Sequence, residues 1–486
     1  MPDTIYLDAY CAKVNKEFVG FGLYKGPKVK PVHIANGVFR VLYGKILNNK
    51  GIKKLALVQS KKGIKGFETT DIYDELLENE RIEEDIKIED FDITRRIIQK
   101  LLDADSGVFI DKSKSDQMLS FSVSSKYFLT KESLYEDAGE FIGSVVKYAC
   151  PELSSYIITL LDQAKDPISQ LFIPVKDDEV DTVLSGDNIF NDLFPEKKRN
   201  QKLKDYLNSL KQSSICLLHN LKKQPNTFTQ LRLFNLFCVF SLFRYISYLE
   251  AFYCDAKCLP ILIDFSGKNG SIAEASSYTY TNIRRSLSRF CSWAFTQILK
   301  ENYTFKELLV SNNPVRKSGN VSEETKNVIS SMWKMAKQDA RNINEEEGIA
   351  VFGKTINTLL ARENDYHPGI YLRAVGVHPG LLYPPNRSNN RFVISQDILE
   401  MLLMCTVEPG EYATSTLIRK RLWENCGVFV GGSTFEEDLV RNSGMSIQAD
   451  VDALEQNFEK FAATMEALGF ADVMADGILQ IHLGGA

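Results

Sequence analysis

The chain has 486 residues, 44% hydrophobic and 25% charged, a balance that fits a globular domain protein and excludes collagen-like, wholly disordered and small disulfide-scaffold classes. At about 150 residues per domain the length predicts two to four domains, with enough apolar surface to fold without a disulfide or a metal. The net charge of −5 hides a segregation: residues 1–66 carry +10, 67–140 carry −11, 141–195 carry −6, 196–345 carry +11, 346–390 balance, and 391–486 carry −9.

Taken in chain order, residues 1–66 read as a small basic, β-rich part. Ile5 to Tyr10, Phe18 to Tyr24 and Leu55 to Val58 are strand candidates, and Lys25-Gly26-Pro27 is a turn. Residues 67–195 are acidic and helical: Asp71 to Ile88, a helix from Ile93 with apolar positions Ile97, Ile98, Leu101 and Leu102, then Asp137 to Leu161 broken at Pro151. The change from Asp177-Asp178-Glu179 to Lys197-Lys198-Arg199 marks a boundary. Residues 196–345 are a basic helical core. Leu203, Tyr206, Leu207 and Leu210 keep a helical period, and Phe228 to Tyr253 is apolar enough to be buried on most sides. A strand Leu259 to Phe265 leads into a helix Ile272 to Leu299, and a further helix spans Ser322 to Ile343. Residues 346–390, with His367-Pro368-Gly369, His378-Pro379-Gly380 and Pro384-Pro385-Asn386, read as an irregular linker.

Residues 391–486 read as an acidic domain. Ile398 to Cys405, Thr414 to Asn425 and Ala449 to Leu468 are helices, Gly469 is a helix C-cap, and Asp476-Gly477 opens a final strand Ile478 to Leu483. Three helices and a terminal β element predict a winged-helix-like unit. The fold class is thus mainly α, with a small α/β N-terminal part, a helical core and a C-terminal winged-helix-like domain.

Nine cysteines at irregular spacing, several inside apolar runs such as Phe237-Cys238-Val239-Phe240, predict buried free thiols in a reducing compartment. Cys254 and Cys258 lack the second pair a zinc site needs. The start Met1-Pro2-Asp3-Thr4 is not a secretory signal, and the longest apolar run, Leu233 to Phe243, falls short of the about twenty residues of a membrane span. A cytoplasmic protein without a membrane partner is expected.

No complete catalytic signature is present. The strongest local pattern is the strand Leu259–Phe265, the loop Gly267, Lys268, Asn269, Gly270, Ser271, and the helix that follows. Free N–H groups at a helix start, aided by Lys268, suit a phosphate, although the spacing is not that of a P-loop. The same residues also make an ordinary strand-to-helix turn with Ser271 as N-cap. Downstream, Arg284, Arg285 and Arg289, with Tyr278 and Tyr280 nearby, form a candidate nucleic-acid face, as do the lysines of residues 1–66. Asp264, Glu274 and Lys268 loosely match the carboxylate and lysine set of a metal-dependent nuclease. The five histidines form no His-x-His or His-Glu-x-x-His pair, and neither a resident metal nor a cofactor is expected.

The stretches Leu259–Arg289 and Leu422-Trp423-Glu424-Asn425-Cys426-Gly427-Val428-Phe429-Val430-Gly431-Gly432 resemble helical accessory subunits of bacterial multi-gene anti-phage defence systems. That resemblance implies a setting, an accessory protein acting with an ATPase or nuclease near DNA, and no residue roles. The expected function is a non-enzymatic scaffold or adaptor of a nucleic-acid-processing complex. Its basic regions would contact DNA or RNA, and its acidic C-terminal end would contact a protein partner such as an ATPase or nuclease subunit. The alternatives are a divergent metal-dependent nuclease around Asp264 and a stand-alone DNA-binding regulator.

Overall fold

The computed structural model describes residues 5–24, 29–44, 48–49, 68–78, 85–93, 96, 109–110, 121–122, 126, 137–163, 180–181, 189–267, 270–311, 315–316, 322–362, 367–384, 389–432, 435–436, 438, 451–475 and 479–483. These residues are mostly helical, and the strands are pieces of two or three residues. The architecture is centred on the helix Thr227–Ser247. Asn226 caps it by accepting from Phe228 N (2.9 Å) and Thr229 N (3.3 Å), satisfying donors the first turn leaves free. From Gln230 to Ser247 every residue but Arg232 is buried, as an all-round apolar helix requires. It packs against the helices Pro31–Tyr43, Asp137–Ala149, Gln201–Leu221, Pro368–Val377 and Gln396–Met404.

The second axis is the helix Gly270–Asn302, about 50 Å long at 1.5 Å per residue. It lies along the helix Glu345–Arg362 and crosses it at Gly353, where a Cβ would come 2.2 Å from Thr296 Oγ1 and 2.7 Å from Ser292 O, so only glycine lets the two backbones approach. Buried side chains from Ile5 to Ile481 form one contiguous core cluster that crosses every compositional boundary of the sequence.

Several sequence expectations are corrected here. Ile5–Tyr6 is a strand, but Leu7–Val14 is a helix, because Leu7, Cys11 and Val14 recur at helical spacing and are buried together. Phe18 lies in a π-helical turn, not a strand, and the helix Pro31–Tyr43 stands where none was expected, bedded in the core with Pro31 in its first turn and Gly44 after its end. The stretch read as an irregular linker holds the helices Glu345–Arg362 and Pro368–Val377, with Ile349, Phe352, Ile356, Leu359 and Leu360 buried at helical spacing. Leu55–Val58, Asp177–Glu179, Asp476-Gly477 and the lysines of residues 1–66 other than Lys13, Lys16 and Lys30 lie outside the described residues.

Other expectations hold. Asp137–Ala149 and Pro151–Gln163 flank the predicted break, and Gln201–Leu221, Glu323–Ala340 and Val451–Ala467 are helices. The nine cysteines are free, seven of them buried. Among the described residues no helix is long and apolar enough to cross a membrane.

The C-terminal elements run helix Gln396–Met404, strand Ala413–Thr414, helix Ser415–Cys426, helix Val451–Ala467, then strands Ala471–Val473 and Leu479–Ile481. The last two pair antiparallel, and Leu479–Ile481 also pairs antiparallel with Ala413–Thr414, giving a three-stranded sheet. A separate strand, Val428–Phe429, leaves this unit and pairs parallel with Ile261–Leu262 of the core, while Phe392 bridges to Ile263 on the opposite edge, where Asp264 N donates to Phe392 O (2.8 Å).

Candidate functional site

The predicted strand, loop and helix therefore belong to a small parallel sheet, and the carboxyl ends of its strands gather a set of buried polar groups, Asp264, Glu436 and Asn457. Ser276, on the Gly270–Asn302 helix, donates to Leu262 O (2.8 Å) and accepts from Phe392 N (2.9 Å), tying helix to sheet. Asn457, fully buried on the helix Val451–Ala467, closes the strand ends. Its Nδ2 donates to Ile263 O (2.8 Å) and Val430 O (2.7 Å), and its Oδ1 accepts from Phe265 N (2.8 Å) and Ser266 N (3.1 Å).

Asp264 is 2% exposed. Its Oδ1 accepts from Ser266 N (2.9 Å) and Ser266 Oγ (2.7 Å), and Arg391 Nε stands 2.8 Å from its Oδ2. Arg391 Nη2 also donates to Gly267 O (3.2 Å). On the other strand end, buried Glu436 accepts from Val430 N and Gly431 N (3.1 Å each) and faces Arg419 Nη1 at 3.5 Å. Arg419 donates to Gly431 O (3.2 Å) and lies 4.2 Å over the Phe458 ring. In both pairs the carboxylate is buried and one of its oxygens accepts two hydrogen bonds, while Asp264 Oδ2, Arg391 Nε and Arg419 Nε make none, and breaking either pair strands a buried charge.

The predicted residues distribute as follows. Asp264 is inside this network; Glu274 is exposed on the helix surface. Gly267 has φ +67, and a Cβ there or on Gly270 would meet nothing within 4 Å, so both glycines face open space. Gly270 opens the helix and places Ser271 inside its first turn, not at the cap. Lys268 and Asn269 lie outside the described residues. Among the described residues no three His, Cys, Asp or Glu side chains come together in a group that would hold a metal ion.

Arg284, Arg285 and Arg289 are all exposed on the Gly270–Asn302 helix, as expected. Their surroundings differ. Arg289 is clasped bidentately by Glu250 (2.5 and 2.7 Å). It also lines an open groove of about 550 Å³ with Trp293, Lys300, Lys354 and Asn357, in which Lys300 pairs with Glu346 (2.8 Å). Arg284 turns the other way, toward the Pro368–Val377 helix. His367 is the N-cap of that helix, its Nδ1 accepting from Gly369 N (2.9 Å).

Sequence reading missed Asn457, Arg391 and Arg419. The signal for Asn457 is its place on an apolar stripe with Leu454, Phe458, Phe461 and Met465, where a polar residue must have buried partners. It also missed Arg244, which is 4% exposed. Among the described residues no carboxylate answers Arg244; it donates to Asn425 O (2.8 Å) at the end of the Ser415–Cys426 helix and to Ser209 Oγ (3.2 Å), near the rings of Tyr206, Phe240 and Tyr248. The negative end of the helix dipole and the π faces take the place of a counter-ion.

Compared with protein-family models, curated proteins and solved structures, the chain matches none.

Proposed function

We propose that the protein is a non-enzymatic adaptor of a nucleic-acid-processing complex. It holds nucleic acid on the basic side of the Gly270–Asn302 helix and docks a basic protein partner, such as an ATPase or nuclease subunit, on its acidic C-terminal unit. The C-terminal order of elements, with a first short strand joining a terminal hairpin, fits a winged helix. In that fold the third helix is the one that enters a DNA major groove.

The observation that carries the reading is the surface of that helix here. The exposed positions of Val451–Ala467 include Asp452, Glu455, Glu459 and Glu466 against Lys460 alone. Such a face repels phosphates and attracts a basic protein surface. The inner face is committed elsewhere, through Asn457, so the helix cannot turn over to present another side.

The test is affinity purification of the tagged full chain from its host, scoring protein and nucleic acid together, with wild type and Glu455→Lys/Glu459→Lys. A stoichiometric partner lost from the double variant while nucleic acid is retained is expected. A partner kept by the variant, or nucleic acid held more weakly by wild type than by a chain lacking Arg284 and Arg285, overturns the assignment. The competing reading, a metal-dependent nuclease around Asp264, needs an accessible carboxylate, whereas Asp264 is held by Ser266 and Arg391. Nuclease activity of the pure protein with Mg²⁺ that disappears in Asp264→Asn, with the fold unchanged, would restore that reading.

A further inference from the structure

Cationic and polar groups form a row on one flank of the Gly270–Asn302 helix. Beside the Gly267 loop stands Arg391; its neighbour Asn390, 1% exposed, donates to Pro384 O (2.6 Å) and accepts from Arg373 Nε (2.9 Å). Arg373 comes from the Pro368–Val377 helix, and Arg284 lies against the first turn of the same helix, its Nε 3.2 Å from where a Cβ on Gly369 would sit. One helical turn before Arg284 is Tyr280. Its side chain is buried to 2% exposure, and its hydroxyl has no hydrogen-bond partner. Tyr280 and Arg284 are four apart on one helix, and Gly369, which Arg284 approaches, and Arg373 are four apart on the facing helix; burial pushes the Tyr280 pKa up to about 12, while Arg284 and Arg373 both act in the opposite sense. His367 borders the row. Its Nδ1 accepts from Gly369 N, which assigns the ring proton to Nε2, and burial, then Arg284, favours its neutral form.

We infer that Arg284, Arg373 and the Tyr280 hydroxyl form a phosphate subsite that takes a phosphodiester of a bound nucleic-acid strand. A buried O–H without an acceptor has lost its water and gained nothing; an anionic oxygen between two guanidiniums supplies the acceptor. Of the other arginines of this helix and loop, Arg289 is engaged by Glu250 and Arg391 by Asp264, while Arg285 is exposed next to Arg284 in sequence and on a different helical position from Tyr280. Arg284 has no carboxylate partner among the described residues. Beyond the subsite, Arg391 at the Gly267 loop is a further cation, and Tyr383, 52% exposed, stands beside it across a backbone bridge. A row of cations with an exposed ring suits a strand with successive phosphates and bases better than a free phosphate. The subsite rests on the nucleic-acid contact proposed above.

The experiment is fluorescence anisotropy of the full chain with a labelled oligonucleotide, single-stranded and duplex, at several salt concentrations. Arg284→Ala and Arg373→Ala are each expected to raise Kd about tenfold and to lower the slope of log affinity against log salt by about one. Tyr280→Phe keeps the ring and removes the hydroxyl; it should weaken binding about threefold, with a melting temperature no lower than that of wild type. Lys326→Ala, which removes a charge on the distant Glu323–Ala340 helix, should alter neither quantity. If wild type binds and the three subsite variants bind as wild type, the subsite is wrong and the adaptor reading stands with its contact elsewhere. If wild type binds no nucleic acid, both fall. If inorganic phosphate competes as well as unlabelled oligonucleotide at equal phosphate concentration, the site is one for small anions and the strand assignment is overturned.

Discussion

At the carboxyl ends of the parallel strands, Asn457 makes four hydrogen bonds to backbone groups of two segments, and Asp264 and Glu436 each face an arginine. Further along the Gly270–Asn302 helix, Tyr280 is equally buried, yet among the described residues its hydroxyl has no hydrogen-bond partner, and Arg284, one turn on, has no carboxylate. The two regions use similar residue types at similar depth. They differ in what answers the polar groups: Asn457 is saturated by backbone groups and both carboxylates face guanidiniums, although Asp264 Oδ2, Arg391 Nε and Arg419 Nε make no hydrogen bond, whereas the Tyr280 hydroxyl meets neither a hydrogen-bond partner nor a carboxylate among the described residues. A buried network whose charges are paired specifies the fold; a buried donor left unanswered beside cations costs stability and is suited to a ligand.

That contrast can be broken by mutation. The largest effect should come from Asn457→Ala, which orphans Ile263 O, Val430 O, Phe265 N and Ser266 N together and should cost about 3–5 kcal/mol by urea unfolding. A loss below about 1 kcal/mol would mean that water replaces the amide and the network is not structural. Next is Arg391→Ala. It leaves the Asp264 carboxylate buried opposite nothing, at about 2–3 kcal/mol, and adding Asp264→Leu should recover part of that loss. By contrast Arg284→Ala should move stability by no more than about 0.5 kcal/mol, because the exposed guanidinium holds nothing together. Tyr280→Phe should leave stability unchanged or raise it by up to about 1 kcal/mol, since it removes an unpaired buried hydroxyl; a clear loss would reveal a hydrogen bond there and end the subsite argument.

The smallest effect concerns His367. Burial, then Arg284, holds its folded pKa below the ordinary value, so the unfolded chain binds more protons in the mildly acidic range. Its contribution to stability is full above about pH 6.5 and is lost as pH falls below that value toward the lower folded pKa. His367→Asn, which keeps a cap acceptor for Gly369 N, should flatten this part of the curve of unfolding free energy against pH.

Most helices were legible because their apolar residues recur three and four apart. Leu203, Tyr206, Leu207 and Leu210 announce the Gln201–Leu221 helix, and Phe228 onward announces the buried Thr227–Ser247 helix. The N-terminal segment was misread because β-type residues in Ile5 to Tyr10 outweighed the weaker helical spacing of Leu7, Cys11 and Val14, which tertiary burial then favoured. Asp264 stood out as an acid at a strand end, but its ion pair did not, because Arg391 sits in a distant stretch that also reaches back to Gly267, 124 residues away.

Composition and periodicity thus determined the mainly helical character, the buried central helix, the free thiols and the acidic face of the last helix. Each of these depends on neighbours within one or two turns. Only the tertiary structure decided which charges are spent: Arg289 on Glu250, Arg391 on Asp264, and Arg244 on a helix end and three rings, with Arg284 left open. A helix face is set by residues close in sequence. A guanidinium's counter-charge is set by packing across the whole chain, and nothing local encodes it.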